Sequence, residues 1–188
     1  GDQIGFTMTK VNGTEAYADN AALTFDGTVF SGDLKWYADA YSEADVYAYY
    51  PYNANGTPTA YFAVEDQTDG IAKADLMAAV KKGVLPTPNA ITMVFKHLMT
   101  KLVINIDNQS GAEVTGVEIG GCRLVTGLDI SEMALTKYTD IVIEAEPLIK
   151  AYEATAGKVW QAIVIPDKAK LEIIVNLSNG KKITQPLA

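Results

Sequence analysis

The feature that most restricts what this chain can fold into is the rhythm of its apolar residues. Short runs rich in Val, Ile, Thr, Tyr and Phe recur between Gly, Asn and Asp punctuation. Runs of that length are strands, because successive side chains of an extended backbone point to opposite faces. Asp26-Gly27 separates Ala22-Leu23-Thr24-Phe25 from Thr28-Val29-Phe30, and Asn179-Gly180 follows the run 171–177. Both pairs accept the positive φ angles of a tight hairpin turn. Asn12-Gly13 and Asn55-Gly56 are similar pairs in looser surroundings, suited to hairpin tips or exposed loops.

Parity along the runs says which faces are covered. Val46, Ala48 and Tyr50 share one face and Tyr47 and Tyr49 the other, a pattern for a strand covered on both sides and ended by Pro51. Leu171, Ile173, Val175 and Leu177 face inward, with Glu172 and Asn176 outward. The following 183–187 run is its hairpin partner, and Pro186, which has no N–H to give a ladder, places that partner at an edge. Further strands are expected at Val114-Thr115-Gly116-Val117-Glu118-Ile119, at 123–128, at Ile141-Val142-Ile143 and at 159–165.

One segment speaks for a helix. Leu76-Met77-Ala78-Ala79-Val80-Lys81-Lys82-Gly83 combines strong helix formers with Asp75 at the start, two lysines in the last turn and a terminating glycine. A second irregularity lies just beyond. Ile91, Met93, Phe95 and His97 are in phase, but Leu102, Ile104 and Ile106 have the opposite parity, so a bulge or break is expected between His97 and Leu102.

Many short strands and one helix predict an all-β chain of antiparallel sandwiches rather than a βαβ fold. At 188 residues there is room for one large β-domain or two small ones. The polar break Gln109-Ser110-Gly111 divides them as 1–108 and 109–188, with the short helix in the first.

Composition narrows the function. Fifteen basic against 23 acidic residues give a net charge of −8, which disfavours nucleic acid and anionic lipid, since phosphate affinity rests on clustered Lys and Arg. Cys122 is the single cysteine, so no disulfide forms within the chain. No apolar stretch approaches the ~18 residues of a membrane-spanning helix. One histidine, one cysteine and no paired-ligand spacing leave no zinc site, and no cofactor fingerprint is present.

No catalytic residue is assigned. His97 and Cys122 are compatible in chemistry with a thiol–imidazole pair, but no third residue in a recognisable setting supports one, and a histidine satisfied at the edge of the core is the plainer account. Asp66 and Asp69 lack the alternation of a calcium loop and read as solvated acids. Trp36, Tyr37, Tyr41, Tyr47, Tyr49, Tyr50, Tyr52, Tyr61 and Phe62 crowd the first third of the chain. Most are expected in the core, with Tyr41 and Tyr52, beside turn residues, as exposed exceptions able to stack on a sugar or a protein.

Several phrases in order resemble the fimbrillin-like family: Gly1-Asp2-Gln3-Ile4-Gly5-Phe6, Val46-Tyr47-Ala48-Tyr49-Tyr50-Pro51-Tyr52, and Asp66-Gln67 followed by Ala74-Asp75-Leu76-Met77-Ala78-Ala79. The most specific is Val94-Phe95-Lys96-His97-Leu98-Met99-Thr100-Lys101-Leu102, similar to the family's Phe-x-His strand, and Ala162-Ile163-Val164-Ile165-Pro166 resembles a later apolar run closed by proline. The resemblance implies two tandem transthyretin-like β-sandwiches in a non-enzymatic subunit of a bacterial surface fimbria, forming its shaft, tip or anchor and acting in cell adhesion. It also implies export to the outer membrane through a signal and lipid anchor upstream of Gly1, further strands beyond Ala188, and assembly with other fimbrial subunits by exchange of a strand. The alternative is a non-polymerising surface lipoprotein that binds host glycan or protein through loop aromatics.

Overall fold

The computed structural model describes residues 1–13, 15–36, 40–138, 148–166 and 170–187. In the first half the strands are β1 (Gln3–Lys10), β2 (Ala16–Phe25), β3 (Phe30–Ser31), β4 (Ala44–Tyr50), β5 (Ala60–Phe62), β6 (Met77–Val84), β7 (Lys96–His97) and β8 (Thr100–Asn105). Then follow β9 (Val114–Gly120), β10 (Val125–Asp129), β11 (Ala134–Thr136), β12 (Ile149–Lys150), β13 (Tyr152–Thr155), β14 (Val159–Val164), β15 (Glu172–Leu177) and β16 (Lys182–Pro186). The pairs of the six-stranded sheet, β10 with β11, β9 with β12 and β15, β14 with β8 and β13, and β15 with β16 are all antiparallel. The Ile141-Val142-Ile143 run lies outside the described residues.

Contacts divide the chain into two compact units, each discontinuous in sequence. The first holds Gly1–Ala60, Leu76–Leu98 and Gly127–Thr136, and the second Tyr61–Asp75, Met99–Thr126 and Lys137–Ala188. The Gln109-Ser110-Gly111 break lies inside the second unit, on the loop from β8 to β9.

The first unit is built on a six-stranded sheet of order β3-β2-β1-β4-β6-β7. Ile4, Phe6 and Met8 of β1, Leu23 of β2, Ala44, Val46 and Ala48 of β4 and Val84 of β6 form its buried core. Leu34, Trp36, Ile91, Met93 and Phe95 pack against them from irregular segments. Burying the Val, Leu, Ile, Phe and Met side chains among them contributes ~1.5–3 kcal/mol each.

The predicted helix at 76–83 is not formed. Met77–Val84 is β6, paired along β4 from Tyr50↔Met77 to Ala44↔Val84, and the helical element nearby is a single 3₁₀ turn, Ala72–Ala74. A helix this short is marginal in water, and the preference of its residues is worth only tenths of a kcal/mol each. Pairing with β4 instead supplies backbone partners and buries Ala78 and Ala79 completely. The phase slip after His97 has an equally simple cause: the chain leaves the first unit at Leu98 and enters the second at Met99.

In the second unit the sheets β12-β9-β15-β16 and β13-β14-β8 contribute to one core. Val117 and Ile119 of β9, Ile149 of β12 and Ile173 of β15 are buried with Trp160, Ala162 and Val164 of β14. The segment 149–155 changes sheets: Ile149 and Lys150 pair with β9, and from Tyr152 the chain pairs with β14. As expected, β16 is the hairpin partner of β15, exposed along its length, with Pro186 opposite Glu172. The Asn12, Asp26 and Asn179 turns close hairpins, with Asn12, Gly27 and Gly180 at positive φ, while Asn55-Gly56 lies in the loop between β4 and β5.

Candidate functional site

The groups with most chemical reactivity have separate structural roles. Cys122 is buried and its Sγ donates to the Ile119 carbonyl at 3.5 Å, and burial pushes its thiol up, away from the reactive thiolate. His97 is exposed on β7, opposite Met77, rather than at the edge of the core as its parity suggested. The alternation of burial stops at Phe95: Lys96 and His97 are both exposed, on the short strand β7 at the end of the sheet beside β6.

Asp66 closes a local turn. Its Oδ1 accepts from the Thr68 hydroxyl at 2.6 Å and the Thr68 N–H at 3.2 Å, and its Oδ2 meets Lys150 Nζ at 3.1 Å. The Thr68 hydroxyl first, then the Thr68 amide and Lys150, bring its pKa down to about 2. Among the described residues no group of three or more His, Cys, Asp or Glu is placed to hold a metal ion.

The aromatic-rich first third divides much as its surroundings dictate. Tyr49 is 1% exposed, and Trp36 and Tyr50 pack on the first core. Tyr41 is 89% exposed, whereas Tyr52 is half-buried and Phe62, expected inside, is exposed. Tyr37 lies outside the described residues.

On the sheet face of the first unit opposite its core, a cleft of about 530 Å³ is lined by Tyr47 and Tyr49 together with Thr57, Pro58 and Thr59 and the adjacent segment Leu128, Asp129, Ile130 and Ser131. A bulge shapes it. β1 pairs with β2 at Phe6↔Ala21 and Met8↔Ala18, so two residues of β2, Asp19 and Asn20, stand against Thr7 alone. Asn20 takes φ 49, a conformation asparagine tolerates better than most residues. Its N–H donates to Thr7 Oγ1 at 3.1 Å, its Oδ1 accepts from the Tyr49 hydroxyl at 2.5 Å, and its Nδ2 donates to the Asn53 carbonyl at 2.8 Å. Asp19 lines the cleft. Nothing in the hydrophobic pattern announces this bulge.

The other surface feature is backbone rather than side chain. Among the described residues β8 pairs only with β14. The Ile106 N–H donates to the Lys158 carbonyl at 2.8 Å, and alternation along an antiparallel strand then turns the amides of Lys101, Val103 and Asn105 away from β14. Behind this edge Leu102, Ile104 and Ile106 are only partly buried against the second core, and Val103 is 54% exposed.

The chain is all-β, and among the described residues β8 ends its sheet. The chain as a whole, residues 1–188, matches the model of the fimbrillin-like family, and it belongs to that family. It is accordingly a structural, non-enzymatic protein with a fimbrial subunit role, and the family points to the cell surface. Among the described residues no helix is long and apolar enough to cross a membrane.

Solved structures share the fold. A candidate cell adhesion protein from Bacteroides uniformis ATCC 8492 superposes with TM-score 0.68 at 22% identity, covering 98% of this chain and 77% of that one. A candidate cell adhesion protein from Bacteroides ovatus ATCC 8483 gives 0.72 at 21% identity, covering 98% and 75%. A fimbrial protein from the same organism gives 0.63 at 21% identity; all of this chain is covered, but only 41% of that one. No curated protein matches.

Proposed function

We propose that this chain is a shaft, tip or anchor subunit of a surface fimbria, joined to its neighbours by exchange of a β-strand and acting in cell adhesion. The observation that carries the reading is the edge of β8, which among the described residues has no strand partner opposite β14 and borders apolar side chains that are only half-covered. A neighbour's strand laid there gains main-chain hydrogen bonds from the edge and specificity from alternate side chains. Two sheets around one core, with an edge left open, fit a transthyretin-like sandwich that a partner completes. The same reading places the protein at the outer membrane, held by a lipid anchor supplied upstream of Gly1.

The test is assembly of the exported, processed protein. Ladders that resist mild detergent are expected, and Val103→Pro, which removes an outward N–H and adds bulk at the edge, should abolish them while leaving the monomer folded. Persistent monomers from unaltered protein would overturn the reading.

A second reading, display of a glycan-binding surface, is favoured by Tyr41 at 89% exposure. Loss of saccharide binding on changing Tyr41 and Tyr52 to alanine would support the loop platform.

A further inference from the structure

We propose that the cleft over Tyr47 and Tyr49 in the first unit binds a short, uncharged saccharide. This deepens the glycan-binding reading above and rests on it, but moves the site from the loop tyrosines to the sheet face.

Four observations carry it. The cleft is constructed: the β2 bulge places Asp19 and Asn20 together on the far face, and Asn20 then ties both the Tyr49 hydroxyl and the Asn53 carbonyl. Thr7 Oγ1 lies 3.4 Å from Thr57 Oγ1, and the Leu128 N–H donates to the Thr59 carbonyl at 2.8 Å. These segments are thus held together before any ligand arrives, which lowers the cost of ordering them on binding.

The volume, about 530 Å³, falls within the ~300–1,000 Å³ of small-ligand sites. The lining suits a ring with two kinds of surface. The half-buried Tyr47 and Pro58 offer apolar contact to C–H faces, backed by the buried Leu128 and Ile130, and Asp19 and Asp129 offer acceptors to hydroxyl groups.

The charge pattern chooses the ligand. Asp19 and Asp129 line the cleft and, among the described residues, no Lys or Arg does, so sialylated, sulfated or phosphorylated ligands would meet like charge. A strongly cationic ligand is not favoured either, because much of the acidic charge is already engaged: Asp45 accepts the Gly83 N–H at 3.0 Å and Glu132 is 3.7 Å from Lys82 Nζ. Of the lining Asp129, Oδ1 accepts from Ser131 at 2.7 Å and from the Glu132 N–H at 3.2 Å, which leaves Oδ2 for a ligand. The Tyr47 hydroxyl donates to Asp45 Oδ2 at 3.5 Å, a long bond that a sugar hydroxyl can replace, and burial first, then Asp45, Glu132 and Asp129, push its phenol up.

The experiment uses the monomeric chain, so that a failure to polymerise and a failure to bind are read separately. Oligosaccharides ending in galactose, glucose or mannose, their sialylated counterparts, and a lysine-rich peptide are titrated by calorimetry. Binding of at least one neutral saccharide is expected. It should weaken tenfold or more in Asp19→Ala, an exposed position, and in Tyr47→Phe, and should be unchanged in Tyr41→Ala with Tyr52→Ala. Thermal unfolding verifies that each variant is folded. No neutral saccharide bound, preference for the sialylated ligand or the peptide, or sensitivity to the loop tyrosines instead of Asp19 and Tyr47 would overturn the proposal.

Discussion

The side chain of Gln67 pairs with both backbone groups of Ile163: its Nε2 donates to the Ile163 carbonyl at 2.8 Å and its Oε1 accepts the Ile163 N–H at 2.8 Å. This amide stands where a strand would. β13 pairs with β14 only as far as Tyr152↔Gln161, because the chain has already turned at Ala151 to reach β9. Gln67 fills the place opposite Ile163 that Lys150 would have taken, and a third bond, Nε2 to the Val64 carbonyl at 2.9 Å, fixes its own loop.

Gln67 is 1% exposed, so replacing it by an apolar residue leaves buried backbone groups with no partner and no water. Gln67→Leu is expected to cost about 2–4 kcal/mol, since each unsatisfied group costs roughly 1–3. Gln67→Glu should also destabilise, because it retains the acceptor but loses the donor and buries a charge. Urea unfolding checks both, and wild-type midpoints would show that the pairing is dispensable.

Gly5 lies beneath the Tyr49 ring, and a methyl group there would overlap the ring's Cε1 and Cζ. Gly5→Ala is expected to lose about 1–3 kcal/mol, the usual cost of overpacking. Adding Tyr49→Ala should make the Gly5→Ala step nearly neutral in the double variant. A double-mutant cycle by thermal unfolding measures this, with strict additivity counting against the contact.

The Asp66 carboxyl titrates near 2 in the folded chain against 3.8 unperturbed. A value depressed by folding means that the contribution is present above pH 3.8 and is lost as pH falls toward 2. Thr68→Val, which removes the hydroxyl that donates to Oδ1, should move the carboxyl back toward its ordinary value. A carboxyl-resolved NMR titration reads this directly, and an unmoved midpoint would assign the depression to the amide and Lys150 instead.

How much of this was legible beforehand depends on the range of the forces involved. The double coverage of β4 and the inward face of β15 follow from the parity of their apolar residues, and Pro186 marks an edge because it lacks an N–H. The helix expected at 76–83 failed because local preference is weak beside a waiting strand edge on β4. The slip between His97 and Leu102 was visible, but its cause, passage from one unit to the other, is a tertiary fact. The family was legible from phrases that include Asp66-Gln67, yet the role of Gln67 required knowing that Ile163 lies opposite, 96 residues away. The β2 bulge left no trace beyond an asparagine at position 20 that accepts a positive φ.

The central claim, that the chain works by lending its open β8 edge to a neighbour's strand, is tested most directly by amide hydrogen exchange on monomer and on assembled fibre. Slow exchange at Leu102 and Ile104 in both states is expected from pairing with β14. The amides of Lys101, Val103 and Asn105 should exchange rapidly in the monomer and become protected on assembly. If those three amides exchange equally fast in fibre and monomer, neighbours are joined some other way and the account fails.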